Sequence, residues 1–153
     1  MSLPQALLAG YDWGGRAALQ RGRAALCERL WQLWSPTWRF DAATFARTAA
    51  SLDNPDFVDV VVHSYRHRFG LVPGDPALAG IEARLAVQPP IGVPSVTLDG
   101  ADDGVMTPGG TAAHALHFLA RHEHRVIPGA GHNLPQEAPH AFVDAIRSVH
   151  GWR

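Results

Sequence analysis

Three stretches of the sequence place reactive side chains beside glycine. The first is Gly10-Tyr11-Asp12-Trp13-Gly14-Gly15, an acid bracketed by glycines after the apolar run Ala6-Leu7-Leu8-Ala9 and before a helical pattern. It has the form of a nucleophile elbow, a strained strand-to-helix turn that leaves room only for glycine two residues to either side and projects its central side chain above a sheet. An aspartate held this way would attack carbon and carry the substrate as an alkyl ester. The main-chain amide of Trp13, at a helix start, would face developing negative charge. The second stretch, Leu98-Asp99-Gly100-Ala101-Asp102-Asp103, offers three carboxylates, although an Asp-rich loop is ordinarily a solvated turn. The third, Gly129-Ala130-Gly131-His132-Asn133-Leu134-Pro135-Gln136-Glu137, carries an imidazole able to take a proton from water if a carboxylate fixes its tautomer. A nucleophile, an acid and a histidine in that chain order, each expected at the C-terminal end of a strand, form a constellation that chance seldom supplies.

The elements expected to position these residues follow from periodicity. Residues 6–10 read as a short strand buried on both faces, as in a parallel sheet. From Arg16 to Trp34 the positions Ala17, Leu19, Leu26, Leu30 and Leu33 recur at helical spacing, with Gly22 weakening the middle, so one helix or two are expected. Ser35-Pro36 ends it, and Asp41 is placed to cap a helix running to about Leu52. Residues 55–69, with Phe57, Val58, Val61, Val62 and Tyr65 on one face and Gly70 beyond the end, give the clearest helical pattern. A short helix over Ala77–Ala86 follows. Val93–Leu98 then reads as a strand, Pro108–Leu119 as a helix, Arg125–Ile127 as a strand and Pro135–Val149 as a closing amphipathic helix. The order is one buried strand, a helical block, then two βα units, which predicts an α/β fold with mostly parallel pairing and no internal repeat.

Composition narrows the classes of function. The 153 residues, 46% hydrophobic and 18% charged, are enough for one globular domain with a core. A formal net charge of -1 supplies no basic stripe for nucleic acid or anionic lipid, and no stretch has membrane-spanning length. The single cysteine, Cys27, has no intrachain partner and reads as a small core residue. With no basic leader at the N-terminus, a reducing cytoplasm is the expected location.

The elbow pattern Gly-Tyr-Asp-Trp-Gly-Gly resembles the epoxide hydrolase and haloalkane dehalogenase branch of the α/β-hydrolases. The Gly-x-Gly-His loop followed by Glu-x-Pro resembles the catalytic histidine loop of the same superfamily. The resemblance covers nearly the whole chain and implies Asp12 as nucleophile and His132 as base. The Gly-x-x-Asp spacing from Gly100 resembles the acid motif and selects Asp103, with Asp102 the runner-up. It further implies a hydrolase without metal or organic cofactor, acting on a small apolar organic substrate. The fold implied is a partial α/β-hydrolase sheet of about three mostly parallel strands with an inserted helical lid. In this reading residues 1–153 form one incomplete domain, with 1–20 the elbow unit, 21–90 the lid and 91–153 a C-terminal βαβα unit.

The same resemblance suggests roles for lid residues. Epoxide hydrolases of this fold use lid tyrosines on the opening ring oxygen, which makes Tyr65 the candidate. Trp13 matches a position often used to hold a leaving halide and occurs in both branches. Trp38, with Trp31, Trp34, Phe40 and Phe45, can line an apolar substrate pocket, although most such aromatics are lid core. His63 and His67, four apart, have metal-ligand spacing without a third ligand, so a polar helix face is expected. Arg66-His67-Arg68 reads as solvated lid surface, and His122 and His124 as a surface turn before the last strand. Measured against the family, the early strands, the loop supplying half of the oxyanion or halide site, and a strand and helix after the elbow helix are expected to be missing. Exposed edges of such a sheet favour self-association, so a homodimer is one expectation. Two alternatives to an epoxide hydrolase stand: a haloalkane or haloacid dehalogenase, and a non-catalytic remnant that keeps the triad letters.

Overall fold

A computed structural model of the chain describes residues 13–107 and 109–152. The described residues fall into two compact units, those of Met1–Leu33 with Arg39–Ala79 in one and those of Trp34–Trp38 with Gly80–Arg153 in the other.

The first unit is helical. Helix α1 spans Trp13–Trp34 and breaks helical geometry at Gly22, with φ -157° and ψ 48°. The weak point in its periodicity is therefore a kink at the residue with the least resistance to leaving the helix. Leu19 and Leu30 are buried. Helix α2, Ala42–Ala49, opens as its sequence dictates, Asp41 Oδ1 accepting from the Thr44 amide at 2.7 Å, and tightens into a 3₁₀ turn over Ala50–Asp53. Phe45 and Leu52 are buried, and Trp31 meets Phe45 edge-on at 5.3 Å and Phe40 at 5.4 Å. These three rings pack on one another, the core role expected of most of the aromatics. Helix α3, Phe57–Arg68, buries Val58 and ends where Gly70 takes the left-handed conformation, φ 71°, its amide donating to the His67 carbonyl. Arg23 donates to the carbonyls of Leu52 and Asn54, and Arg16 pairs with Asp59, joining α1 to the segments around α3. His63 and His67 stack at 6.2 Å.

The second unit is mixed α/β. Helix α4, Ala79–Ala86, begins in the first unit with Ala79 and leads into a parallel pair of strands, β1 over Ser95–Gly100 and β2 over His122–Ile127, in register from Ser95↔His122 to Gly100↔Ile127. Parallel pairing needs a long crossover. Here the crossover holds a 3₁₀ helix, Gly110–His117, where an α-helix was expected over 108–119. Gly109 enters at φ 77° without a side-chain cap, and Leu116 and Leu119 stay exposed, so no buried stripe enforces α geometry. The closing helix also differs from expectation. It is two helices, α5 over Leu134–Glu137 and α6 over Pro139–Gly151, because Pro139 drives Ala138 to φ -131°, ψ 60°. Arg125 Nη2 donates to Ser148 Oγ at 2.9 Å, tying β2 to α6.

His122 and His124 lie within β2, which corrects the surface-turn expectation. His122 Nε2 meets Thr97 Oγ1 and His124 Nε2 meets Asp99 Oδ2, both at 3.0 Å across the strand pair. The sheet has two strands among the described residues. The third expected strand, residues 6–10, lies outside them. No helix of the described residues is long and apolar enough to cross a membrane.

Candidate active site

The C-terminal ends of β1 and β2 bring two of the expected site residues together. Gly100 ends β1, and a Cβ there would meet the carbonyl oxygens of Gly131 at 2.4 Å and Ala130 at 2.5 Å. Only glycine permits this approach of the acid loop to the histidine loop. The Asp102 amide then donates to the Ala130 carbonyl at 2.9 Å, and the Ala101 amide to Ile127 at 2.9 Å, so both loops leave the sheet side by side.

Asp103 Oδ2 lies 2.9 Å from His132 Nδ1, and Asp103 Oδ1 accepts from the amides of Val105 at 2.7 Å and Met106 at 3.0 Å. The carboxylate is 12% exposed and the imidazole 37%. A carboxylate only accepts, so Nδ1 carries the hydrogen, and in the neutral imidazole the lone pair is then on Nε2. This geometry can orient a general base. Asp102, the runner-up, points elsewhere, its Oδ2 taking the Thr37 hydroxyl at 3.3 Å.

Two cavities border His132. One, of about 210 Å³, is lined by Leu98, Gly100, Asp103, Met106, Gly131 and His132 among others. The other, of about 590 Å³, is an apolar trough between β1 and α6 lined by Val96, Leu98, Leu134, Phe142 and Ile146. Trp38 lines neither, and its amide donates to the Ser35 carbonyl at 3.0 Å. Tyr65 lies on α3 in the first unit and is half-buried. Trp13 opens α1 through its main chain. Asp12 and the Trp13 side chain lie outside the described residues. Among those residues no group of three or more His, Cys, Asp or Glu is arranged to hold a metal.

Trp34, named above only among possible pocket aromatics, and three residues that sequence reasoning gave no role in the site, Ser35, Asn133 and Glu137, surround the dyad. The Trp34 carbonyl accepts from the amides of His132 at 3.1 Å and Gly104 at 2.9 Å, and its ring meets the His132 imidazole edge-on at 5.4 Å. Ser35, fully buried, donates to Glu137 Oε1 at 2.6 Å. Glu137 Oε2 accepts from the Gly131 amide at 2.8 Å, and Oε1 from the Asn133 amide at 2.9 Å. Asn133 Nδ2 reaches Ser35 Oγ at 3.1 Å. Glu137 was visible as part of the Glu-x-Pro motif, but Ser35 read only as the end of a helix.

Comparison with solved structures finds a protein of Klebsiella pneumoniae subsp. pneumoniae MGH 78578 described as a "putative epoxide hydrolase". The match has 41% identity and a TM-score of 0.88 and covers 95% of this chain and 48% of the other. No family model and no curated protein matches the chain. The chain is thus similar over nearly its whole length to about half of that solved protein.

Proposed function

We propose that the chain is a hydrolase that opens epoxides through an aspartyl ester, with Asp12 as nucleophile, His132 as base and Asp103 as the acid that orients it. The observation that carries this reading is the 2.9 Å pairing of Asp103 Oδ2 with His132 Nδ1, in a chain 41% identical to about half of a protein described as a "putative epoxide hydrolase". In the first step an Asp12 oxygen bonds to a ring carbon, the ring C–O bond breaks, and the released oxygen takes a proton, with Tyr65 the proposed donor. In the second step His132 Nε2 removes a proton from water. The hydroxide adds to the ester carbonyl, the diol leaves, Asp12 is regenerated as carboxylate, and the proton taken up by His132 returns through solvent to the Tyr65 phenolate, restoring both groups. Asp103 stabilises the imidazolium formed on the way. The substrate proposed is small and apolar, consistent with the apolar residues that flank His132. Trp13 and Trp38 are proposed to contact it, the helices of residues 21–90 to act as its lid, and pairing of sheet edges to make a homodimer.

The test is intact-protein mass after His132→Gln is incubated with short epoxides and haloalkanes. Removing the base should let the ester accumulate on Asp12, and the mass added identifies the substrate class; an adduct from haloalkanes alone would replace the epoxide reading with a dehalogenase. The alternative reading makes no use of the chemistry of Asp12. In it the chain is a non-catalytic α/β-hydrolase remnant. No adduct on folded protein would select that reading.

A further inference from the structure

The main chain around His132 is held by three consecutive amides. The Gly131 amide donates to Glu137 Oε2 at 2.8 Å, the His132 amide to the Trp34 carbonyl at 3.1 Å, and the Asn133 amide to Glu137 Oε1 at 2.9 Å. The two outer amides converge on one carboxylate, while the middle one turns to a carbonyl. That carboxylate, Glu137 at the end of α5, also accepts from the hydroxyl of buried Ser35, Oγ to Oε1 at 2.6 Å. Ser35 also contacts the loop directly. Its oxygen lies 3.3 Å from the Asn133 amide and 3.1 Å from Asn133 Nδ2, and a Cβ on Gly131 would sit 2.6 Å from Ser35 Cα. Hydrogen bonds to a carboxylate are shorter and about twice as strong as neutral ones, so Glu137 is the strongest anchor of the loop.

We infer that Glu137 is a positioning residue for His132. By accepting from the amides on either side of His132 it fixes the main-chain course of Gly131–Asn133, and that course delivers the imidazole to Asp103 at 2.9 Å. Glu137 does not touch the imidazole in this arrangement, and Ser35 completes the anchor from a distant part of the chain. The inference rests on the proposed base role of His132 for its catalytic meaning, but the geometry it describes exists without substrate. In turnover, a loop freed by loss of Glu137 should slow hydrolysis of the aspartyl ester by about 10²-fold, the scale set by a misplacement of about 1 Å. Formation of the ester, and with it kcat/KM, should not change, whereas kcat and KM should fall together once ester hydrolysis limits turnover.

The test is ring ¹⁵N and ¹H NMR of His132 in the full chain, in the wild type, Glu137→Gln and Glu137→Ala, with Asp103→Asn and Val58→Ala as controls. Val58 is buried in the first unit, so its truncation lowers stability through packing within that unit. The wild type should show one tautomer, with the hydrogen on Nδ1, and a hydrogen-bonded Nδ1–H signal. Both Glu137 variants should lose that signal and show mixed tautomers, as Asp103→Asn does, whereas Val58→Ala should keep the wild-type pattern. Glu137 variants that lose stability but retain the Nδ1–H signal would overturn the inference and leave Glu137 a fold anchor only. Amide exchange in the wild type gives an answer even if both variants fail to fold. The Gly131 and Asn133 amides should be protected, and exchange as fast as that of exposed turn amides would also overturn it. No substrate enters these measurements. An inactive protein with a Glu137-dependent tautomer therefore defeats the hydrolase reading alone, and an active one with an indifferent tautomer defeats the positioning role alone.

Discussion

Asp99 and His124 form a second acid–imidazole pair, Oδ2 to Nε2 at 3.0 Å, with side chains only 13% and 17% exposed. Their neighbour His122 is held to Thr97 and stacks on Phe118 with ring centroids 3.8 Å apart and planes within 1°. The pair bridges β1 and β2 inside the sheet, whereas Asp103 and His132 meet on loops beyond its end. Asp99→Ala and His124→Ala should each cost about 1–3 kcal/mol, because each removes a hydrogen-bond partner from a largely desolvated polar group. In a double-mutant cycle read by urea unfolding the two should be coupled by about 1 kcal/mol. Additive losses would show that the contact contributes nothing of its own.

The choice between adjacent aspartates has a kinetic test. Asp103→Asn should slow decay of the aspartyl ester by about 10³–10⁴-fold, since an amide in place of the carboxylate can hold the wrong tautomer of His132. Asp102→Asn should leave the decay near the wild-type rate, its carboxylate being engaged with Thr37. Single-turnover decay of the trapped ester measures both. The reverse ranking would transfer the role to Asp102.

Two glycines should resist a methyl group for reasons of space. Gly100→Ala places Cβ 2.4 Å from the Gly131 carbonyl oxygen, and Gly131→Ala places it 2.6 Å from Ser35 Cα, main-chain atoms that cannot rotate away. Each should cost about 1–3 kcal/mol in denaturant unfolding. Gly110→Ala, with nothing within 4 Å, should stay within about 0.5 kcal/mol of wild type.

Asp41 should make part of the stability pH-dependent. Hydrogen bonds from Thr44, its side chain first and then its amide, hold the Asp41 carboxyl below the ordinary aspartate value, with a smaller contribution from Arg47. A carboxyl whose folded value is depressed stabilises the fold above its unfolded pKa of about 3.9, and that contribution is lost as pH falls through the folded value. The gap in Tm between wild type and Asp41→Ala should therefore be constant near neutrality and close below about pH 3.9. Asp41→Asn keeps an acceptor and has no charge to lose, so the gap between Asp41→Asn and Asp41→Ala should not vary with pH.

The sequence made local devices legible and long-range ones illegible. Asp41 as a cap, Gly70 beyond a helix end and Gly22 as a weak point are decided by neighbours within a few residues. The spacing from Gly100 selected Asp103, and its partner is His132. The break at Ala138 was written in Pro139, but the apolar period on either side masked it. His122 and His124 looked like a turn because strand patterns are sought in apolar alternation, whereas here the alternate positions face Thr97 and Asp99. Ser35 carried no signal at all, since its role depends on Glu137, 102 positions away in sequence.

That separation has a consequence for how the protein acquires its structure. The segment Trp34–Trp38 belongs to the same compact unit as Gly80–Arg153, although the intervening residues fold with the other. Joining Ser35 to Glu137 requires closure of a long loop, and ordered ends at that distance form only after the entropy of closure has been met. Helix caps and the turn at Gly70 can assemble early from local contacts, but the histidine loop must wait until the last helices of the chain have been made. On this argument the dyad should be among the final parts to take shape as the chain folds.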